Sequence, residues 1–235
     1  MEYVTLSIHE APVTHKADVV VVGGGPGGVA AALSASQAGA RVLLVEQYGM
    51  LGGMATVGLV NPFMTFFAGQ RQIIFGSFQK LLDKLASFPG GLGGPKGPWA
   101  FDSDVYARAT EELCQEAGIE LLFHSYLCDV AKEGETLKAA IYASKSGLQA
   151  ASAKVFVDAT GDADLAALAG CPFEQGRPGD GLTQPMTCCF EMSGVDEERM
   201  PSKTDIDNAF KAARARGEVS IPLDWGVLYF YTTHP

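Results

Sequence analysis

The feature that most constrains this chain is a glycine bend between two short apolar segments. Ala17-Asp18-Val19-Val20-Val21-Val22 is β-branched and runs into Gly23-Gly24-Gly25-Pro26-Gly27-Gly28. A continuous apolar run bounded by glycine predicts a strand buried on both faces, as in a parallel sheet. Pro26 to Ala38 carries Val29, Ala30, Ala31, Ala32, Leu33 and Ala35, a composition that favours helix. Gly39 is placed to stop it. Arg41 to Glu46 predicts a second buried strand. Strand, helix and strand in so few residues predict a right-handed βαβ unit over 18–46.

The bend satisfies G-x-G-x-x-G at Gly23, Gly25 and Gly28. Gly23 allows the tight turn out of the strand. Gly25 has no β-carbon, so a pyrophosphate can approach the backbone. Gly28 lets the helix pack closely on the sheet. Phosphate oxygens would lie at the helix start, by Pro26 and Gly27, where free N–H groups and the helix dipole favour negative charge. Glu46 falls about 20 residues downstream, where an acid reaches a ribose hydroxyl, and Gln47 follows it. No arginine is close by to hold a 2′-phosphate, so NADP fits worst among the dinucleotides. The unit does not separate FAD from NAD, and a glycine-rich turn with a solvated Glu46 is the plain alternative. If Glu46 grips a ribose, Glu46→Ala is expected to weaken dinucleotide affinity with little change in stability.

Residues 47–70 read as a functional loop or irregular cover. The 71–100 stretch reads as an insertion with a helix, Phe75 to Leu85, and a Gly/Pro-rich loop, Pro89 to Pro98. Asp102 or Ser103 can cap a helix running to about Ala117. Ile119 to Phe123 predicts a strand. Runs at 126–131, 137–144 and 149–157 predict a β-meander over 124–157, with Lys154 to Asp158 returning to the main sheet. Asp162 to Ala169 predicts a short helix, Met186 to Met192 a strand, and Asp205 to Arg216 a polar helix. The expected fold class is α/β: a Rossmann-type parallel sheet with an inserted β-meander over 1–170, then the start of a second α+β domain over 171–235, cut short at Pro235.

Charge narrows the function classes. A formal net charge of −10 opposes nucleic-acid and membrane-surface binding, and no basic patch offsets it. The five cysteines show no CxxC spacing and no Cys/His metal pattern, which points to a reducing compartment and no metal. Met1 to Lys16 has no long apolar run and reads as neither signal peptide nor membrane span, so the expected location is cytoplasmic. The adjacent Cys188 and Cys189 invite a redox reading, but a partly buried strand is the preferred one.

Two further segments carry a family resemblance. Gly49-Met50-Leu51-Gly52-Gly53-Met54-Ala55-Thr56 follows Glu46, and Asp158-Ala159-Thr160-Gly161-Asp162-Ala163-Asp164-Leu165 ends the return strand. Together with 18–46 they resemble the FAD-dependent oxidoreductases with a glutathione-reductase-like FAD domain, over residues 17–170. The wording is closest to a bacterial group distantly similar to fumarate-reductase-type flavoproteins. The resemblance implies FAD as cofactor, contacts at Gly52, Gly53, Met54, Ala159, Thr160 and Gly161 beside the bend and Glu46, and redox of a small organic substrate. It makes 171–235 the beginning of a substrate or cap domain. The family's carboxyl-terminal glycine-aspartate motif has no counterpart in its usual setting, so a missing carboxyl-terminal half or a partner chain is expected to complete the site. An NAD-dependent dehydrogenase and a non-catalytic flavin- or nucleotide-binding module remain the alternatives. Asn61, Arg71, His124 and Gln184 are candidate polar groups near substrate, with His124 expected to lie away from the flavin; no catalytic residue is assigned.

Overall fold

The computed structural model describes residues 10–93, 99–184 and 186–220. In chain order the elements begin with β1 (Val13–Lys16), β2 (Val19–Val22), α1 (Pro26–Gln37) and β3 (Val42–Val45). A 3-10 turn at Gly53–Ala55 precedes the short pair β4 (Phe67–Ala68) and β5 (Arg71–Gln72), then α2 (Ser77–Ala86) and α3 (Ser103–Glu116). β6 (Glu120–Leu122), β7 (Tyr126–Glu133), β8 (Thr136–Ser144), β9 (Gly147–Ser152), β10 (Val155–Asp158), α4 (Asp164–Leu168) and α5 (Lys203–Ala215) complete the set.

The valine run forms the centre of a parallel sheet of order β10-β2-β3-β6. Alternation along its strands divides two cores. Val21 and Leu44 face α1 and α3, where Val29, Leu33 and Cys114 are buried against them. Val20, Val22, Leu43 and Val45 face the opposite way and pack on Ala140, Tyr142 and Ala151. Those three belong to the antiparallel β7-β8-β9 meander, so a sheet covers the second face of the parallel sheet. This is the expected α/β architecture with its inserted meander.

One strand has no counterpart among the sequence expectations. β1 joins the meander sheet parallel to β9. Its four residues, Val-Thr-His-Lys, are mostly exposed and carry no apolar run. Its anchor is tertiary: Tyr142 Oη lies 2.7 Å from His15 Nδ1 and 2.9 Å from Thr14 Oγ1.

Asp18 ties together the starts of three strands. Its carboxylate meets Lys154 Nζ at 2.9 Å and accepts from the Arg41 backbone N–H at 3.0 Å and Arg41 Nε at 3.2 Å. The Lys154 ammonium, then the Arg41 backbone and guanidinium, hold the carboxyl down at about 2. The starts of β2, β3 and β10 are thereby pinned at the end opposite the glycine bend.

The chain divides into two compact units at Cys189/Phe190. In the described part of the second, a 3-10 turn at Glu197–Arg199 precedes α5, which starts at a capping box formed by Ser202 and Asp205. The expected strand at Met186 to Met192 does not form. Cys188 and Cys189 are exposed rather than partly buried. The run is apolar enough for a strand, but among the described residues no strand pairs with it, and an unpaired strand is not stable. The helix expected over Asp162 to Ala169 begins only at Asp164, because Ala163 takes a left-handed conformation with φ 61°.

Candidate functional site

β2, β3 and β10 finish level with one another, Val22 pairing with both Val45 and Asp158. The loops that leave these strand ends enclose a crevice of about 1000 Å³. Open α/β sheets receive ligands at this edge.

The three motif glycines have separate structural reasons. Gly23 has φ 102°, and a β-carbon there would fall 2.5 Å from the Ala159 carbonyl carbon. Gly28 abuts the Gly23 carbonyl, whose carbon would lie 2.9 Å from an added β-carbon. Gly25 is different: its φ of −67° and ψ of −179° suit any residue, and a β-carbon would meet nothing within 4 Å. It caps α1 without a side chain, which leaves the first-turn N–H groups at the crevice without an intrahelical partner. Gly25, Pro26 and Gly27 line the crevice; Gly28 shapes it from behind.

Glu46 lines the crevice although it is only 5% exposed. Its Oε2 accepts from the Gly24 N–H at 2.6 Å and its Oε1 from the Tyr48 N–H at 2.8 Å. The carboxylate therefore builds the bend as well as facing the crevice. That corrects the expectation that Glu46→Ala would leave stability unchanged: two buried N–H groups would lose their acceptor. Gln47 is exposed beside it and also lines the crevice.

The second glycine pair packs on the first. The Gly52 N–H donates to the Gly24 carbonyl at 2.8 Å, and Gly52 has φ 109°. A β-carbon on Gly53 would fall 2.9 Å from Gly25 Cα. Gly53 and Met54 line the crevice, whereas Gly52 lies against Thr56 and Tyr106. On the third side Ala159, Thr160 and Gly161 line it. Thr160 braces this turn: its N–H and Oγ1 donate to Asp158 Oδ1 at 3.0 and 2.7 Å, and Oγ1 accepts from the Asp164 N–H at 2.9 Å. Asp158 Oδ2 takes the Ala166 N–H at 2.8 Å.

The polar candidates fall elsewhere. Asn61 spans the backbone of Phe101, donating to its carbonyl at 2.5 Å and accepting from its N–H at 3.4 Å. Arg71 is exposed on β5, and Gln184 is exposed outside regular structure. His124 is not among the residues that line the crevice, although its neighbour Ser125 is. The His124 N–H donates to the Tyr48 carbonyl at 3.1 Å and its ring lies against Gly49. Sequence reasoning missed Tyr48, Ser125, Tyr126, Asp158 and Asp162, all of which line the crevice. Ser125 and Tyr126 open the meander and arrive through long-range packing, for which no local motif exists.

Acidic side chains line the crevice at Glu46, Asp158, Asp162 and Asp164, and no lysine or arginine does among the described residues. A diphosphate would be met by backbone N–H groups and the α1 dipole alone. The open space at Gly25 fits that role, and the crevice is at the large end of the roughly 300–1,000 Å³ range of small-molecule sites. Among the described residues no three His, Cys, Asp or Glu side chains are grouped to hold a metal ion. Among the described residues no helix is long and apolar enough to cross a membrane.

Residues 18–224 match the family described as FAD dependent oxidoreductase. The chain belongs to that family. FAD is accordingly its cofactor, in place of the NAD left open by the βαβ unit alone. The family member is 38% identical over 124 residues to thiamine thiazole synthase of Aeropyrum pernix, covering 50% of this chain and 40% of the relative. It is 55% identical over 42 residues to dihydrolipoyl dehydrogenase of Trypanosoma brucei brucei, covering 18% of this chain and 9% of the relative. Among solved structures, a flavoprotein/dehydrogenase from Cytophaga hutchinsonii superposes with a TM-score of 0.51 at 15% identity, over 69% of this chain and 44% of that one. The last shows likeness of fold. The chain spans less than half the length of each of these proteins.

Proposed function

We propose that this chain carries the FAD site of an oxidoreductase that moves electrons between flavin and a small organic substrate. One observation carries the reading: Gly25 presents open space at the start of α1, between Glu46 on the neighbouring strand and the Ala159-Thr160-Gly161 turn on the other side. FAD supplies the redox chemistry when bound. The protein's part is placement. The N–H groups of the α1 first turn receive the diphosphate, Glu46 and Gln47 face the adenosine ribose, and Gly53, Met54 and Thr160-Gly161 flank the remainder of the cofactor.

Tyr126, 60% exposed at the crevice, supplies an aromatic face for the adenine. The short dihydrolipoyl dehydrogenase likeness supports a glutathione-reductase-like form of the domain. The domain occupies 1–170, and 171–235 opens a substrate or cap domain. Further polypeptide, from this protein or a partner, completes the flavin end. Exposed Phe173 and Leu182, at 62% and 60%, support an additional covering surface.

The test is to purify the chain, unfold it and identify the released cofactor, then titrate the stripped chain with FAD and with NAD. Release of FAD, or saturable quenching of flavin fluorescence, is expected. NAD binding without flavin binding would overturn the assignment.

A further inference from the structure

The crevice is electrostatically one-sided. Glu46, Asp158, Asp162 and Asp164 line it, and among the described residues no lysine or arginine does. The whole chain carries a formal net charge of −10. A cleft lined by one sign of charge focuses the field, attracting the opposite sign and repelling its own. A dianionic diphosphate enters against that field.

The four carboxylates have different duties. Glu46 receives the Gly24 and Tyr48 N–H groups. Asp158 receives the Thr160 N–H, the Thr160 hydroxyl and the Ala166 N–H. Both hold the crevice walls in shape, and the donors around them offset their charge. Asp162 and Asp164 are exposed, and neither carboxylate is engaged by another described residue. They flank Ala163, whose left-handed backbone, with φ 61°, delays the start of α4. An acid in the first turn suits a helix start, which gives Asp164 some structural value. Asp162 precedes the helix and lacks that role.

We propose that Asp162 and Asp164 set the affinity of the crevice for its cofactor through charge: their unneutralised carboxylates oppose the diphosphate, so FAD loading is governed by ionic strength and tightens as salt rises. The proposal rests on the flavin reading of the crevice. It reverses the usual behaviour, in which a phosphate held by exposed lysine or arginine loosens as salt rises. Here the attraction comes from N–H groups in contact with the diphosphate, which salt screens little. The repulsion acts across solvent, which salt screens well. For two charges on each side, about 10 Å apart in water, the repulsion weakens binding about fourfold at 0.05 M salt and by less than about 1.5-fold at 0.5 M.

Fluorescence titration of the stripped chain with FAD at these two concentrations of NaCl tests it. The wild type is expected to bind about threefold tighter at the higher salt. Asp162→Asn combined with Asp164→Asn is expected to bind about fourfold tighter than the wild type at 0.05 M and to lose at least half of the salt response. Glu133→Gln combined with Glu135→Gln removes the same charge at the β7–β8 turn, roughly 20 Å along the strand from Tyr126 at the crevice. That pair is expected to stay within about 1.5-fold of the wild type. Wild-type affinity that falls or holds with salt would overturn the proposal and leave the flavin reading standing. So would a crevice pair indistinguishable from the wild type or from the turn pair. No FAD binding at either salt would strike the flavin reading itself, and the proposal with it.

Discussion

Two glycines three residues apart should respond in opposite ways to the same methyl group. A β-carbon on Gly28 would press on the Gly23 carbonyl, with that carbon at 2.9 Å and Ala159 Cβ at 3.2 Å. The obstacle is main chain at the root of the bend, which cannot rotate away. Overpacking of this kind costs about 1–3 kcal/mol, and a backbone obstacle belongs at the upper end. Alanine in a helix returns about 1 kcal/mol over glycine. Gly28→Ala should therefore lose about 2 kcal/mol of stability. Gly25 lies in backbone space open to alanine, with nothing within 4 Å of the new carbon. Gly25→Ala should keep its stability or gain about 0.4–1 kcal/mol through the less flexible unfolded chain. Its methyl would stand where the diphosphate approaches the α1 N–H groups. Losing one charge-assisted hydrogen bond, about 1.5–3 kcal/mol, weakens FAD binding about ten- to 150-fold. Urea unfolding midpoints and flavin fluorescence titrations measure the two effects separately. If Gly25→Ala binds FAD like the wild type, the diphosphate does not lie at this bend. If Gly28→Ala unfolds at the wild-type midpoint, the contact argument for that glycine is wrong.

Glu46→Ala should lower stability by about 3 kcal/mol as well as FAD affinity, because two backbone N–H groups lose a charged acceptor; unchanged urea midpoints would contradict the double role. Asp18 is held at about 2, below its unfolded value of 3.8, so its stabilising effect is complete above 3.8 and is lost as pH falls from there through 2. Asp18→Asn should flatten the acid limb of a stability profile measured across that window and leave its slope at neutral pH unchanged. Cys128, Cys171, Cys188 and Cys189 are exposed, whereas burial pushes the Cys114 thiol up to about 12. A thiol-reactive dye should therefore label four cysteines in the native chain and the fifth only after denaturant is added; native labelling of Cys114, read by peptide mapping, would place α3 differently.

Elements whose cause is local were legible from the residues alone. The valine run, the glycine bend and the alanine-rich helix each carry their own periodicity or turn chemistry, and β2, α1 and β3 lie within two residues of expectation. β1 was illegible because its support is Tyr142, 127 residues beyond His15. Met186 to Met192 reads as a strand by composition, but strand formation requires a neighbour, which composition does not reveal. The same limit applies at the crevice. Glycine positions and Glu46 follow from motif spacing, while Tyr126 and Ser125 depend on how the meander folds back over the parallel sheet. The structural duty of Glu46 was hidden because its partners are backbone donors, which every residue but proline possesses.

The level finish of β2, β3 and β10 means that the crevice tolerates no change in chain length along those strands. A one-residue slip in any of them would reverse which side chains face each core and withdraw one wall of the crevice. The hairpin between β7 and β8, turning at Gly134 far along the chain from those ends, carries no such restriction. Inserted tags or reporter sequences belong there, where lengthening the loop leaves the three-strand alignment untouched.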